Sequence, residues 1–366
     1  MSDLAAPHIL TLTAYEPGKP EDELRRELGL EDIVKLASNE NPYGPSPKAV
    51  AAVSGETLAL HRYPDPRGHH LREALGAHHR VSAAEICLGN GSNEIIDLIC
   101  RVFAGRGEHA VFGHPSFPCY RIGSIAQELR FTAVPLREHL YWNVDDLLAA
   151  VTNETKLLFV SNPNNPTGAH IGRTDLARLL RELPDRVLAV VDEAYVEYVD
   201  ADDFAPATEL RDTRERLAIL RTFSKAYGLA GLRVGYVIGT TDLVTHLTRL
   251  RAPFNVSTPG PVAAAVALGD QAHLRETVTA TVEDRAKLTT ALEAFGLRVA
   301  PSQANFVLVD VGQPGRAVYE ALLQEGVIVR PMPPPLDHWL RVTVGRPGEN
   351  RRFLDSLERV LRESRA

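Results

Sequence analysis

Residues 217–239 read LAILRTFSKAYGLAGLRVGYVIG, and their pattern indicates which kind of sheet the chain forms. It begins with a short apolar run of the kind that forms a buried strand, and the run ends in a polar loop. The segments KLLFVSNPNNPTG (156–168) and VLAVVDEAYVEY (187–198) repeat the pattern. Apolar strands that alternate with helical segments are typical of a parallel sheet covered by helices on both faces. We therefore predict an α/β fold with a mostly parallel sheet.

The composition excludes several classes of protein. Of the 366 residues, 44% are hydrophobic and 24% are charged, and the formal net charge is −7, which is typical of a globular protein with two domains. No long run of Lys or Arg indicates a nucleic-acid or membrane partner. The widely spaced Cys87, Cys100 and Cys119 form neither a disulfide framework nor a zinc pattern. The start, MSDLAAPHIL, lacks the layout of a signal peptide, and the cysteine usage favours a reducing cytoplasm, so we expect a cytoplasmic protein.

Changes in composition and sequence pattern along the chain predict its domains. Residues 1–45, rich in turn residues after a short helix, are predicted to be an N-terminal arm and part of a small domain. Residues 46–250 form the predicted large domain, which carries the ligand site. Residues 251–366 form the predicted small α/β domain, which ends in a helix for which Asn350 is a plausible N-cap.

Five polar loops follow predicted strands. They are GNGSNE (89–94), HPSFPCY (114–120), SNPNNPTG (161–168), DEAYVEY (192–198) and RTFSKAYGLAGLR (221–233). Ligands of open parallel sheets bind outside the carboxyl ends of the strands, so we expect these loops to meet at one site. Each loop alone is a weak signal, and their convergence carries the prediction.

Two of these loops suggest a cofactor by their chemistry. GNGSNE opens a helix, whose N-terminal N–H groups bind phosphate well, although an ordinary turn explains the string too. Asp192 follows four apolar residues, so its carboxylate should be buried and should need a cation. A protonated ring nitrogen of a cofactor meets that need, and so does a structural salt bridge.

The loop after residue 220 adds an amine. Lys225, partly desolvated and near Arg233, should have a lowered pKa, and a neutral amine forms a Schiff base with an aldehyde. Thr222, Ser224 and Arg233 suit an anion beside it, while Gly228 and Gly231 should let the backbone turn closely around the lysine. An aldehyde and a phosphate on one ligand describe pyridoxal 5′-phosphate.

These motifs together resemble the pyridoxal-phosphate aminotransferases of fold type I. More narrowly, the chain resembles the histidinol-phosphate aminotransferase family, from about residue 15 to residue 350. The motifs that carry this resemblance, in order, are LASNENPYGPSP (36–47), RYPD (62–65), GSNEIIDL (91–98), PSFPCY (115–120), LRTFSKAYGLAGLR (220–233), GVIVRPM (326–332) and LRVTVGRPGEN (340–350). The resemblance implies a large domain with a mostly parallel seven-stranded sheet between helices, and a smaller α/β domain.

The resemblance also implies roles for single residues. Lys225 would hold the cofactor covalently, and Asp192 would keep its ring nitrogen protonated. Tyr195 and Asn165 would hydrogen-bond the ring hydroxyl, and Phe117 would stack on the ring. The catalytic set is therefore Lys225, Asp192 and Tyr195.

Further residues would bind the cofactor phosphate and the substrate. The phosphate ligands would be Gly91, Ser92, Asn93, Thr222, Ser224 and Arg233, with Tyr63 reaching across from the second subunit of a homodimer. The substrate ligands would be Tyr15, Asn39, Glu40, Tyr120, Asn165, Arg330 and Arg341. Asn93, where the family usually has Asp, and Ser116, where it more often has Thr, depart from the family pattern.

The resemblance leads to one expected reaction and leaves alternatives. The expected reaction is transamination between histidinol phosphate and 2-oxoglutarate, with glutamate as the amino donor in the biosynthetic direction. The first alternative is an aromatic amino-acid aminotransferase, and a less favoured one is a threonine-phosphate decarboxylase, which shares the fold and the cofactor. A non-catalytic cofactor-binding module of a regulator needs a DNA-binding segment, and residues 1–45 are too short and too weakly basic for one. We expect no metal, since His69, His70, His78 and His79 spread over more than one helix face.

Overall fold

The structure of the protein is a computed structural model that describes residues 4–14, 18–54 and 61–364. The helices in these ranges are α1 (Glu21–Leu28), α2 (Pro47–Ser54), α3 (His69–His79), α4 (Gly91–Phe103), α5 (Pro118–Ala126), α6 (Val144–Ala149), α7 (Arg173–Glu182), α8 (Thr241–Leu250), α9 (Pro259–Gly269), α10 (Gln271–Ala294), α11 (Gly315–Gln324) and α12 (Pro347–Glu363). The strands are β1 (Val34–Lys35), β2 (Ile86–Asn90), β3 (His109–His114), β4 (Arg130–Pro135), β5 (Thr155–Ser161), β6 (Leu188–Asp192), β7 (Leu217–Thr222), β8 (Val234–Ile238), β9 (Arg298–Ala300), β10 (Phe306–Asp310), β11 (Val327–Ile328), β12 (Arg330–Pro331) and β13 (Trp339–Thr343).

A seven-stranded sheet forms the centre of the molecule. Its strand order is β2-β8-β7-β6-β5-β3-β4. Six strands run in the same direction, and β8 runs antiparallel to them. Successive residues of β6 enter different apolar clusters, with Ala189 and Val191 on one face and Leu188 and Val190 on the other. Burial on both faces explains why the strand sequences show no polar alternation. The predicted mostly parallel α/β sheet is confirmed.

A second, smaller sheet is built from the C-terminal part of the chain. It is antiparallel, in the order β12-β13-β10-β9. Strand β1 pairs in parallel with β11, so Val34 lies opposite Val327. This pairing supports the predicted assignment of part of residues 1–45 to the small domain. The division at residues 45 and 250 itself stays a prediction.

The last helix begins earlier than expected, since Asn350 was predicted to be its N-cap. Helix α12 starts at Pro347, whose fixed φ suits the first helical position, and Arg346 occupies the N-cap. Asn350 lies buried inside the helix, where its amide group exchanges two hydrogen bonds of 2.8 Å with the backbone of Gly345.

Within the described ranges, no helix is long and apolar enough to cross a membrane.

Candidate active site

A cavity of about 300 Å³ lies at the carboxyl edge of the central sheet. Asp192, Thr222 and Ser161 are the last residues of β6, β7 and β5, and all three line it. The other lining residues are Gly18, Ala37, Ser38, Asn39, Ser92, Asn93, Phe117, Cys119, Asn165, Ala194, Tyr195, Ser224, Lys225, Arg233, Arg330 and Arg341. Most of the residues predicted for the site are therefore brought together.

Lys225 lies between the central sheet and the loop that follows β1. Its Nζ donates a hydrogen bond of 3.1 Å to the carbonyl oxygen of Ser38. Burial lowers the pKa of Lys225 to about 8, and the nearby cations Arg341 and Arg233 add to this effect. The lysine can therefore lose its proton near neutral pH, as an amine nucleophile or base requires.

The turn after Lys225 depends on one glycine. Gly228 has φ +67°, and a Cβ there would lie 2.6 Å from the backbone carbon of Gly44. The turn can pack against residue 44 only because position 228 carries no side chain. Gly231, predicted to serve the same purpose, faces open space.

Asp192 is a buried carboxylate at the cavity wall, with 3% of its surface exposed. Oδ2 accepts a hydrogen bond of 2.9 Å from the Tyr120 hydroxyl, and Oδ1 accepts one of 3.2 Å from the Ala194 N–H. Burial raises the pKa of Asp192 to about 6, although the Tyr120 hydrogen bond opposes the rise. The group is thus mostly ionised at neutral pH, and the cavity offers a place for a cation beside it.

The N-terminus of α4 and the guanidinium of Arg233 form an anion cradle. Gly91 has φ +73°, and a Cβ on it would overlap Nη2 of Arg233. Nη1 of Arg233 donates 3.1 Å to the carbonyl of Ala230 and lies 3.5 Å from Oγ of Ser224. Free N–H groups at a helix start, an arginine and hydroxyls make a binding site for a phosphate.

Two arginines of the small sheet face the same cavity. Arg341 in β13 is 8% exposed, and Arg330 in β12 lies directly opposite it across the strand pair. Nη1 of Arg341 donates 2.6 Å to Oδ1 of Asn165, and Nη2 donates 2.8 Å to the carbonyl of Ala37. These bonds hold the guanidinium plane at the cavity edge.

Four of the predicted residues do not line the cavity, although one of them, Gly91, adjoins Arg233 in the anion cradle. Tyr120 is fully buried behind Asp192, and this position does not fit the substrate contact predicted for it. Glu40 is exposed, lies outside the cavity wall and pairs with Lys35 at 2.9 Å. Tyr63 is 81% exposed and stacks on Phe254, with the ring centroids 4.5 Å apart. The predicted substrate residue Tyr15 lies outside the described residues.

Sequence reasoning missed some contributors to the cavity. Ser38 acts through its backbone carbonyl, which leaves no mark on the sequence. Ser161 could have been found, because it ends an apolar strand in the same way as Asp192. In the part of the chain that the structure describes, no three His, Cys, Asp or Glu side chains come together as metal ligands.

The sheet order and the cavity define an aminotransferase of fold type I. The family model described as aminotransferase class I and II matches residues 31–357. The chain belongs to this family, as its motifs predicted.

Relatives cover the chain almost end to end. The chain is 44% identical to histidinol-phosphate aminotransferase 2 of Pseudomonas aeruginosa, with 99% of each chain covered. It is 41% identical to histidinol-phosphate aminotransferase 2 of Hydrogenovibrio crunogenus, with 99% of this chain and 97% of the relative covered. The crystal structure of the Sinorhizobium meliloti histidinol-phosphate aminotransferase in complex with pyridoxal 5′-phosphate has a TM-score of 0.90 and 29% identity, over 99% of this chain and 98% of that one.

Proposed function

We propose that the protein is a pyridoxal-phosphate-dependent histidinol-phosphate aminotransferase. The observation that carries this proposal is the cavity itself. It places the partly desolvated amine of Lys225, the buried carboxylate of Asp192 and the Arg233 cradle around one space. An amine, a carboxylate and an anion site match the aldehyde, the basic ring nitrogen and the phosphate of this one cofactor.

The residues that line the cavity fit the amine, ring and phosphate chemistry of the cofactor. Gly91, Ser92, Asn93, Thr222, Ser224 and Arg233 would hold its phosphate. Asp192 would pair with the protonated ring nitrogen, Tyr195 and Asn165 would contact the ring oxygen, and Phe117 would cover the ring. When bound, the cofactor supplies an electron sink for the bond broken at the amine-bearing carbon of the substrate.

Lys225 would be both the covalent anchor and the base. Without a covalent partner, the Nζ of Lys225 has a pKa of about 8 in the folded chain. Such a group can take the proton from the amine-bearing carbon and return it, because general bases work best with a pKa near the operating pH. Asp192, held by Tyr120, would keep the ring cationic throughout the reaction.

Arg341 and Arg330 support an anionic substrate. In histidinol phosphate the amine-bearing carbon carries a phosphate-bearing arm where an amino acid carries its carboxylate. Arg341, whose charge helps to lower the pKa of Lys225, lines the cavity and would pair with this anion. A guanidinium fork accepts either phosphate or carboxylate, so glutamate and 2-oxoglutarate could use the same subsite. The names of the relatives support histidinol phosphate as a substrate.

The test is a coupled assay with purified protein. We expect a yellow protein that loses its colour when borohydride fixes the cofactor onto Lys225, and turnover of histidinol phosphate with 2-oxoglutarate. Lys225→Ala should lose both the adduct and the turnover. Strong turnover of phenylalanine or tyrosine with none of histidinol phosphate would favour an aromatic aminotransferase, and release of carbon dioxide would favour a decarboxylase.

We also propose a homodimer in which Tyr63 reaches the cofactor phosphate of the second subunit. The tyrosine is 81% exposed and stands on Phe254, which is itself 38% exposed. An exposed aromatic pair is typical of a contact surface rather than of a monomer surface.

We also propose a cytoplasmic location. The free thiols Cys87, Cys100 and Cys119 suit a reducing compartment.

Subunit mixing tests the dimer. Tyr63→Ala and Lys225→Ala subunits are each defective, but in a mixed dimer one site has both residues intact. Unfolding and refolding an equal mixture should therefore recover about a quarter of the wild-type activity. Activity that stays at the sum of the two separate variants would refute a shared site.

A further inference from the structure

Asn39 occupies an enclosed and unusual position at the cavity edge. It is 1% exposed, and its φ of +53° lies in the left-handed region that side-chain-bearing residues seldom adopt. Its N–H donates 2.9 Å to Oγ1 of Thr343, whose hydroxyl in turn lies 3.2 Å from Oδ1 of Asn39. Its carbonyl accepts 3.0 Å from Nδ2 of Asn305. The small sheet therefore holds the residue from several sides.

The remaining polar group of Asn39 reaches a predicted catalytic residue. Nδ2 donates a hydrogen bond of 3.0 Å to the hydroxyl oxygen of Tyr195. The direction of this bond follows from Thr343. Its oxygen already accepts the Asn39 N–H, so its proton serves Oδ1, and Nδ2 is the group left for Tyr195. The opposite amide orientation would leave the buried Thr343 proton pointing at a donor.

This contact determines where the phenolic proton of Tyr195 points. A phenol oxygen has one proton and two acceptor positions, and the Asn39 amide fills an acceptor position. The proton must then be directed at a different group. Tyr195 lines the cavity beside Lys225, whose Nζ lies 5.7 Å from the centre of the tyrosine ring.

We propose that Asn39 is a positioning residue that acts through Tyr195. By donating to the phenolic oxygen, it turns the Tyr195 proton toward the ring oxygen of the cofactor. This inference rests on the proposed function, and it differs from the substrate contact that the sequence predicted for Asn39. The neighbouring Ser38 carbonyl accepts from Lys225 at 3.1 Å, so one short segment contacts both groups.

The proposal has a spectroscopic consequence. A hydrogen bond donated to the ring oxygen favours its anionic form, which lowers the pKa of the nitrogen that joins the cofactor to Lys225. The absorbance of the bound cofactor, followed against pH without substrate, reports this pKa. Loss of the Tyr195 hydrogen bond should move the midpoint of that titration upward.

The experiment is a double-mutant cycle on the holoenzyme. Asn39→Gly removes the amide and keeps the backbone, because glycine adopts a φ of +53° without strain. We expect Asn39→Gly to raise the midpoint by about one pH unit. Tyr195→Phe should raise it at least as much, and the double variant should match Tyr195→Phe alone. That non-additivity separates positioning through Tyr195 from a merely structural effect.

An unchanged midpoint in Asn39→Gly, or an equal further shift in the Tyr195→Phe background, would overturn the proposal. If Asn39→Gly cannot be isolated with cofactor, Thr343→Val replaces it, since the isosteric change releases the amide without altering residue 39. An unchanged midpoint in that variant overturns the proposal too. A wild-type protein that binds no pyridoxal phosphate would refute the proposed function itself, whereas bound cofactor with an unchanged midpoint refutes the positioning role alone.

Discussion

The hydroxyl of Tyr120 donates a 2.9 Å hydrogen bond to Oδ2 of Asp192, from a position that is itself fully buried. The two residues lie 72 positions apart in the chain and meet because α5 packs against the carboxyl end of the central sheet. The bond opposes the effect of burial on the pKa of Asp192. Tyr120 thus helps to keep this carboxylate ionised at neutral pH.

Tyr120→Phe should weaken binding of pyridoxal phosphate to the apoenzyme by about tenfold, since hydrogen bonds to charged groups contribute about 1.5 kcal/mol or more. Without this donor the pKa of Asp192 rises further above about 6, so more of the carboxyl is protonated in weak acid. The loss should therefore be larger at pH 6 than at pH 8. Titration of the apoenzyme, followed by cofactor absorbance, measures it.

Tyr236→Phe is the matched control, because it also removes a buried hydroxyl, one that lies 2.8 Å from Nε2 of His79. It should lower stability without changing cofactor affinity. Equal losses of affinity in the two variants would contradict the role given to Tyr120.

Gly91→Ala should disrupt the anion cradle. The new Cβ would overlap the guanidinium of Arg233, and the φ of +73° would strain the backbone by about 1 kcal/mol. We expect cofactor affinity to fall at least about tenfold, because displacing a charge-assisted donor costs about 1.5 kcal/mol or more. Gly107→Ala is the control. Gly107 has φ +81° with open space around it, so this substitution strains the backbone without a steric overlap. A similar affinity in the two variants would show that Arg233 moves aside at no cost.

Arg341→Lys should lower kcat/KM by about a hundredfold for histidinol phosphate and for glutamate, because lysine keeps the charge but loses the planar fork. The fork also holds Asn165 and the carbonyl of Ala37, so both the substrate and its surroundings lose contacts. Steady-state kinetics with each substrate measures the effect. Arg298→Lys, an exposed change in the same sheet, is the control and should leave kcat/KM unaltered. A loss below about threefold in Arg341→Lys would remove this residue from the substrate site.

Some of these relationships could be predicted from the sequence, and others could not. Asp192 ends an apolar run that carries no alternation, so strand, burial and sheet edge followed directly. The antiparallel direction of β8 did not follow, because a buried strand has the same composition in either direction. The partner of Tyr120 depends on how α5 packs, and a side-chain pattern does not contain that information. The Ser38 contact uses a backbone carbonyl, which every residue has.

The lowered pKa of Lys225 makes a prediction about the stability of the apoenzyme. The folded protein releases this proton near pH 8, whereas the unfolded chain keeps it to about pH 10.5, so burial of the charge destabilises the fold below pH 8. This cost declines as the pH rises from about 8 to about 10.5.

Lys225→Met should therefore stabilise the apoenzyme at pH 7 by about 2 kcal/mol. This value is below the free energy that corresponds to the full pKa shift, because the lysine is still partly exposed. The gain should shrink toward zero by about pH 10.5. Denaturant unfolding of cofactor-free protein at pH 7 and at pH 10 tests this, with Lys156→Met, which replaces a half-buried lysine outside the cavity, as the control. A gain that is constant with pH would mean that the lysine is solvated in the folded protein and that its base strength is not set by burial.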